Sequence, residues 1–316
     1  MDSIRWLLVL ELASLCALPL CLTVFRPLHD RGYALAKPFG LLAIGYVFWL
    51  LNSFQVLPNT RSGIGAAVLV LMALAVAVAY RSRREHIAWL RLHWRYVASV
   101  ELLFAAVFFI AAALRAHAGQ MTGSESNMDF MFLNASLRAD HFPPKDPWLA
   151  GATVSYYYFG FVLVALLTQL AHVAPEVGYN LGIATVAALT IIAAFGVSYN
   201  LIHIASDSPS GDEPLQQGAS PVRAGLFGLA GAALVALMGN LVWVFAFASS
   251  YGIGNARFYR GLDIGVPAGL ERATWYPSGR GVFGIGGQVY RITSGFGHRS
   301  VIQFPMFSFL LGDLHA

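Results

Sequence analysis

A chain of 316 residues in which 57% are apolar and 11% charged, with a mean hydropathy of +0.63, lies outside the range of soluble domains. That composition excludes a water-soluble enzyme or binding module and defines an integral membrane protein, whose length is counted in spans of about 20 residues. The net charge of +4 comes mainly from arginines between apolar runs, a topology signal rather than a nucleic-acid surface.

The first apolar segment, 6–25, is too long for a signal peptide, and no small-residue cleavage site follows Phe25. It holds Cys16 and Cys21, read as packing residues, and Glu11, which is too far from Arg5 to pair with it easily and calls for a partner on another helix. RPLHDRGYALAK at 26–37 is a short cationic loop carrying Arg26, Arg31 and Lys37. Segments 38–57 and 63–80 follow, and then RSRREHIAWLRLHWRY at 81–96, a second loop with five arginines. The excess of arginine places both loops on the cytoplasmic side and the N-terminus outside. In the fourth segment, 97–116, Glu101 sits at the membrane edge, where pairing with Arg95 is expected.

One span further on, 117–155 falls on the extracytoplasmic side. Segments 156–174, 179–204 and 224–249 come next, the last two rich in Gly and Ala, which allows helices to approach closely. The Gly- and aromatic-rich stretch 250–299 carries six arginines and is compatible with either side, and an eighth apolar segment starts near Val301. The expected fold is therefore all-α: a polytopic bundle of seven spans and a partial eighth. It divides into a three-helix region over 1–96 and a membrane core over 97–316.

The loop ESNMDFMFLNASLRADHFPPKDPWLAGATVSYYYFG differs in kind from its surroundings. Glu125 and Asp129 are four apart, so a helix would point both carboxylates the same way, where they can share a proton or hold a divalent cation such as Mg or Mn. Met128, Phe132 and Leu133 against Asn134, Arg138 and Asp140 predict an amphipathic helix lying at the outer interface. FPPKDPW forces extended backbone, and Tyr156, Tyr157 and Tyr158 open the next span either as an aromatic belt or as a stacking surface.

MDFMFLNASLRADHFPPKDPWLAGATVSYYYFG resembles the signature of the YYY family of bacterial and archaeal membrane proteins. So do HDRGYALAKPFGLLAIGYVFWLL at 29–51, ELLFAAVFF at 101–109, MGNL at 238–241 and QFPMFSFLLGDLHA at 303–316. The chain departs from the family pattern at Ser126 and Asn127, where Lys-Pro is usual between the two acids, and the family runs on beyond GDLH, which implies an N-terminal fragment. The layout is similar to GT-C glycosyltransferases and implies a multi-pass plasma-membrane enzyme that transfers sugar from a polyprenyl-phosphate donor. Asp129 would be the base, with Glu125 orienting it, and Arg138 and Lys145 would neutralise phosphate. Tyr156 to Tyr158 would stack on sugar, and Asp313 and His315 would join Asp129 at a metal. A transporter or flippase would instead rely on Glu11, Glu101 and Asp129 lining a path, and a scaffold on none of them.

Overall fold

The computed structural model describes residues 1–117, 126–207, 219–237, 252–255, 257–258, 282–285 and 288–291. Contacts divide the chain after Ala232. The first unit is a helical membrane bundle. Five of its helices are long and apolar enough to cross a bilayer. They are α1 (Asp2–Val24), α2 (Ala36–Ser53, preceded by a 3-10 turn at Tyr33–Leu35), α3 (Arg61–Leu92), α4 (Trp94–His117) and α7 (Pro175–Asp207). Between α4 and α7 lie α5 (Ser126–Arg138) and α6 (Phe159–Ala171), each of 13 residues, and α8 (Pro221–Leu237) follows α7. The expected fifth span is thus a shorter apolar helix, and the expected eighth lies outside the described residues. In the second unit, β1 (Val282–Ile285) and β2 (Gln288–Arg291) pair antiparallel with Phe283 opposite Tyr290, a hairpin that the all-helical reading did not include.

Helix α1 packs against α2, α3 and α6, and α4 packs along α7. Close approach depends on glycine where backbones meet. A Cβ at Gly40 would strike the Ala13 carbonyl of α1, and one at Gly231 would strike the Ser198 side chain of α7. The apolar core runs through Trp6, Phe48, Phe104, Phe161 and Tyr179, and the Trp6 indole donates to Thr185 Oγ1 at 2.8 Å, tying α1 to α7.

Two expectations about charged residues are corrected. The arginine-rich stretch is largely helical: α3 has 32 residues and is about 48 Å long, whereas the hydrocarbon layer is about 30 Å thick, so the helix continues past it carrying Arg81, Arg83, Arg84 and Arg91. Lys37 belongs to α2, not to a loop, and is 2% exposed. Its ammonium donates to Glu11 Oε2 at 2.9 Å and to Glu101 Oε2 at 2.6 Å, and the Tyr33 hydroxyl donates to Glu101 Oε1 at 2.8 Å. Glu101 therefore pairs with Lys37 and Tyr33 rather than Arg95, whose guanidinium lies over the Trp94 ring. The reason is desolvation: a carboxylate inside a bundle is tolerable only when a cation and a donor are fixed beside it.

The cationic end of the bundle is held by side chains from distant segments. Asp30 is buried and its carboxylate accepts from Gly32 N at 2.9 Å, Ala34 N at 3.3 Å, Tyr96 Oη at 2.8 Å and Asn200 Nδ2 at 2.7 Å. Gly32 takes a φ of 70° that a side chain would resist, which lets the chain turn under Asp30 into α2. Glu85 of α3 pairs with Arg31 at 2.8 Å and Arg26 at 3.2 Å, so both arginine-rich segments sit at one end, as the charge rule expects.

Candidate functional site

Helix α5 begins the candidate site. Ser126, Asp129, Phe132, Leu133 and Ser136 recur at helical spacing and are buried, so one face of α5 is packed, mainly against α6. This corrects the interfacial reading, because the apolar face is covered by protein and Asp129 lies on it, 3% exposed. Met131, Asn134, Ala135 and Arg138 occupy the other side of the helix and line a cavity of about 680 Å³.

The far wall of that cavity is the loop after α5, and its order follows from hydrogen bonds. The end of α5 leaves carbonyls without helical partners, and Asn59 Nδ2 donates to two carbonyls there, Ser136 at 2.9 Å and Ala139 at 2.7 Å. Asn59 Oδ1 accepts from Gln169 Nε2 at 3.1 Å, anchoring this cap to α6. Asn52, fully buried in α2, donates to the Asp140 carbonyl at 3.1 Å and accepts from Phe142 N at 2.8 Å. Beyond Pro143 and Pro144, Lys145 bridges to Thr153, and Val154 N donates to the Pro144 carbonyl at 2.9 Å. Asp146 Oδ1 accepts from Trp148 N at 2.8 Å and Leu149 N at 3.1 Å, closing the tip as an Asx turn.

These constraints place Arg138 and Lys145 on the same cavity, with Asp140, His141, Pro147 and Thr153 completing the wall. Among the described residues, neither cation forms an ion pair. An aromatic group adjoins them in the chain. Tyr156 stacks on Phe132 at 5.5 Å between ring centroids and lies against Tyr157, with which it shares a hydroxyl contact, and both tyrosines remain exposed. Trp148, 70% exposed, also meets Phe132. Tyr158 has a different place: its hydroxyl accepts from Trp49 Nε1 at 3.0 Å, so the third tyrosine fastens the start of α6 to α2.

Of the residues singled out from sequence, Arg138 and Lys145 are brought together, Tyr156 and Tyr157 share an exposed patch, and Asp129 lies on the opposite face of α5. Glu125, Asp313 and His315 lie outside the described residues. No group of three or more His, Cys, Asp or Glu side chains with metal-holding geometry occurs among the described residues. His141 lines the cavity without having been singled out, because a lone histidine in a loop carries no spacing signal. Asn52 and Asn59 could have been noticed as amides at the edges of apolar runs. At the opposite, arginine-rich end, His29 and His203 stack at 3.6 Å beside Tyr199, an arrangement that no sequence spacing suggests.

The bundle and its several apolar helices define a multi-pass membrane protein. Residues 43–316 match the family described as uncharacterized membrane protein (DUF2298), and the chain belongs to that family. No curated protein and no solved structure matches the chain.

Proposed function

We propose that this protein transfers a sugar from a polyprenyl-phosphate donor at the end of the bundle that carries α5, with the donor phosphate held between Arg138 and Lys145. The observation that supports this most is the cavity itself. It presents two cations without carboxylate partners among the described residues, of the kind that hold phosphate oxygens, and the exposed rings that could stack on a sugar follow them in the chain. In such a transfer the acceptor hydroxyl attacks the anomeric carbon, the bond from that carbon to the phosphate oxygen breaks, and the hydroxyl proton passes to a base. Asp140 and His141 line the cavity and can meet that proton there. Asp129 would act only on a ligand reaching the packed face of α5. A divalent cation would be held by Asp129 with Asp313 and His315, the last two of which lie outside the described residues.

The test is transfer of labelled sugar from a prenyl-phosphate donor in proteoliposomes containing the full-length protein. Asp140→Asn is expected to lower turnover about 100-fold or more if it is the base. Loss in Asp129→Asn with Asp140→Asn unimpaired would move the base to the other face of α5. Donor crossing the bilayer without any transfer would establish the flippase reading instead.

A further inference from the structure

Arg115 stands in the last turn of α4 and is not among the residues that line the cavity. Its side chain is turned inward, and the residue is 6% exposed. Nε donates to Asn180 Oδ1 of α7 at 2.9 Å, and the amide of Asn180 is held in that orientation because its Nδ2 donates to the Glu176 carbonyl at 2.8 Å. Nη2 is buried with no hydrogen-bond partner. Among the described residues no carboxylate lies within ion-pairing distance of Arg115.

This arrangement is costly in an empty protein. A guanidinium keeps its charge in proteins, and burying it with a neutral amide as its one hydrogen-bond partner among the described residues leaves both a charge and a donor uncompensated there. Lys37 shows how the same bundle treats a buried cation that has only to be stable: it is given two carboxylates. Arg115 lies in the last turn of α4, two residues before His117. It is also at the end of the bundle that holds α5, since Phe130 of α5 meets the ring of Tyr179, the neighbour of Asn180.

We propose that Arg115 is the ligand-binding residue of an oxyanion site at the seam of α4 and α7, and that the oxyanion is a phosphate group. Its planar fork suits phosphate oxygens, with Asn180 fixing the orientation of the fork. The site shares no residue with the cavity of Arg138 and Lys145 and does not depend on the sugar-transfer reading.

Thermal unfolding of the full-length protein in nanodiscs tests the proposal, using inorganic phosphate or pyrophosphate in neutral phosphatidylcholine as one arm and phosphatidic acid in the bilayer as the other. A rise in Tm of about 5 °C is expected at a ligand concentration a hundredfold above Kd. A shift with dissolved phosphate assigns a soluble ligand, and a shift only with phosphatidic acid assigns a lipid headgroup. Arg115→Met is expected to abolish the shift while raising the Tm of the ligand-free protein, because it removes an uncompensated charge. Arg115→Lys, which keeps the charge but not the fork, is expected to weaken binding about tenfold. The proposal is overturned if neither arm shifts the wild-type Tm, if the shift survives in Arg115→Met, or if Arg115→Met unfolds at lower temperature than the ligand-free wild type.

Discussion

Lys37 and the pair formed by Arg138 and Lys145 belong to the same helical unit and have opposite surroundings. Lys37 is enclosed: Glu11 and Glu101 accept its protons, the Phe104 ring lies 5.1 Å from its nitrogen, and Tyr33 closes the far side of Glu101. Arg138 and Lys145 face a cavity and have no ion-pair partner among the described residues. The contrast separates cations that hold helices together from cations that are presented to something else. A network in which one ammonium is shared by two carboxylates locks α1, α2 and α4, whereas the cations on the cavity are positioned by backbone and amide hydrogen bonds, where the proposed phosphate would meet them.

The largest effect is expected at the closed network. Lys37→Met leaves Glu11 and Glu101 facing one another without a cation, and should destabilise the protein by about 3–5 kcal/mol. Thermal or denaturant unfolding in a defined detergent measures this, and a wild-type midpoint would show that the network does not lock the three helices.

A smaller effect is expected where the open site is braced. Asn52→Ala removes the amide that holds both Asp140 and Phe142, leaves their backbone groups unpaired, and should cost about 1–3 kcal/mol. Hydrogen exchange should then accelerate at Phe142 while the core of α2 keeps its protection. Unchanged exchange there would mean that the loop is ordered by its prolines alone.

The smallest stability change is expected at the cavity cations. Arg138→Gln and Lys145→Gln should each leave stability within about 0.5 kcal/mol, because neither side chain holds another element in place. Each should weaken prenyl-phosphate binding by about tenfold or more, measured by titration in nanodiscs. A marked loss of stability in either variant would place these residues with Lys37 and remove the distinction between the two regions.

Much of the architecture was legible because hydrophobic length is a direct physical requirement. A helix in lipid needs about 20 apolar residues, and α1, α2, α3, α4 and α7 follow from that alone. The loop at 126–158 was legible as unusual because acids, prolines and adjacent tyrosines interrupt apolar sequence. The partners within it were not. Periodicity gives the faces of α5 but not which face the bundle covers, so Asp129 and Arg138 could be placed on one helix without their opposite environments being known.

What the sequence determined by itself was membrane residence, the main helices and the clustering of arginine at one end, because each depends on composition within a single segment. What only the tertiary structure decided was pairing. Lys37 reads as a loop cation until α1 and α4 bring Glu11 and Glu101 to it from 26 and 64 residues away. Arg138 and Lys145 become one site only because Asn52 and Asn59, from a helix and a turn far upstream, hold the loop in place. Such contacts depend on which helix faces meet, and no local pattern in the chain encodes that choice.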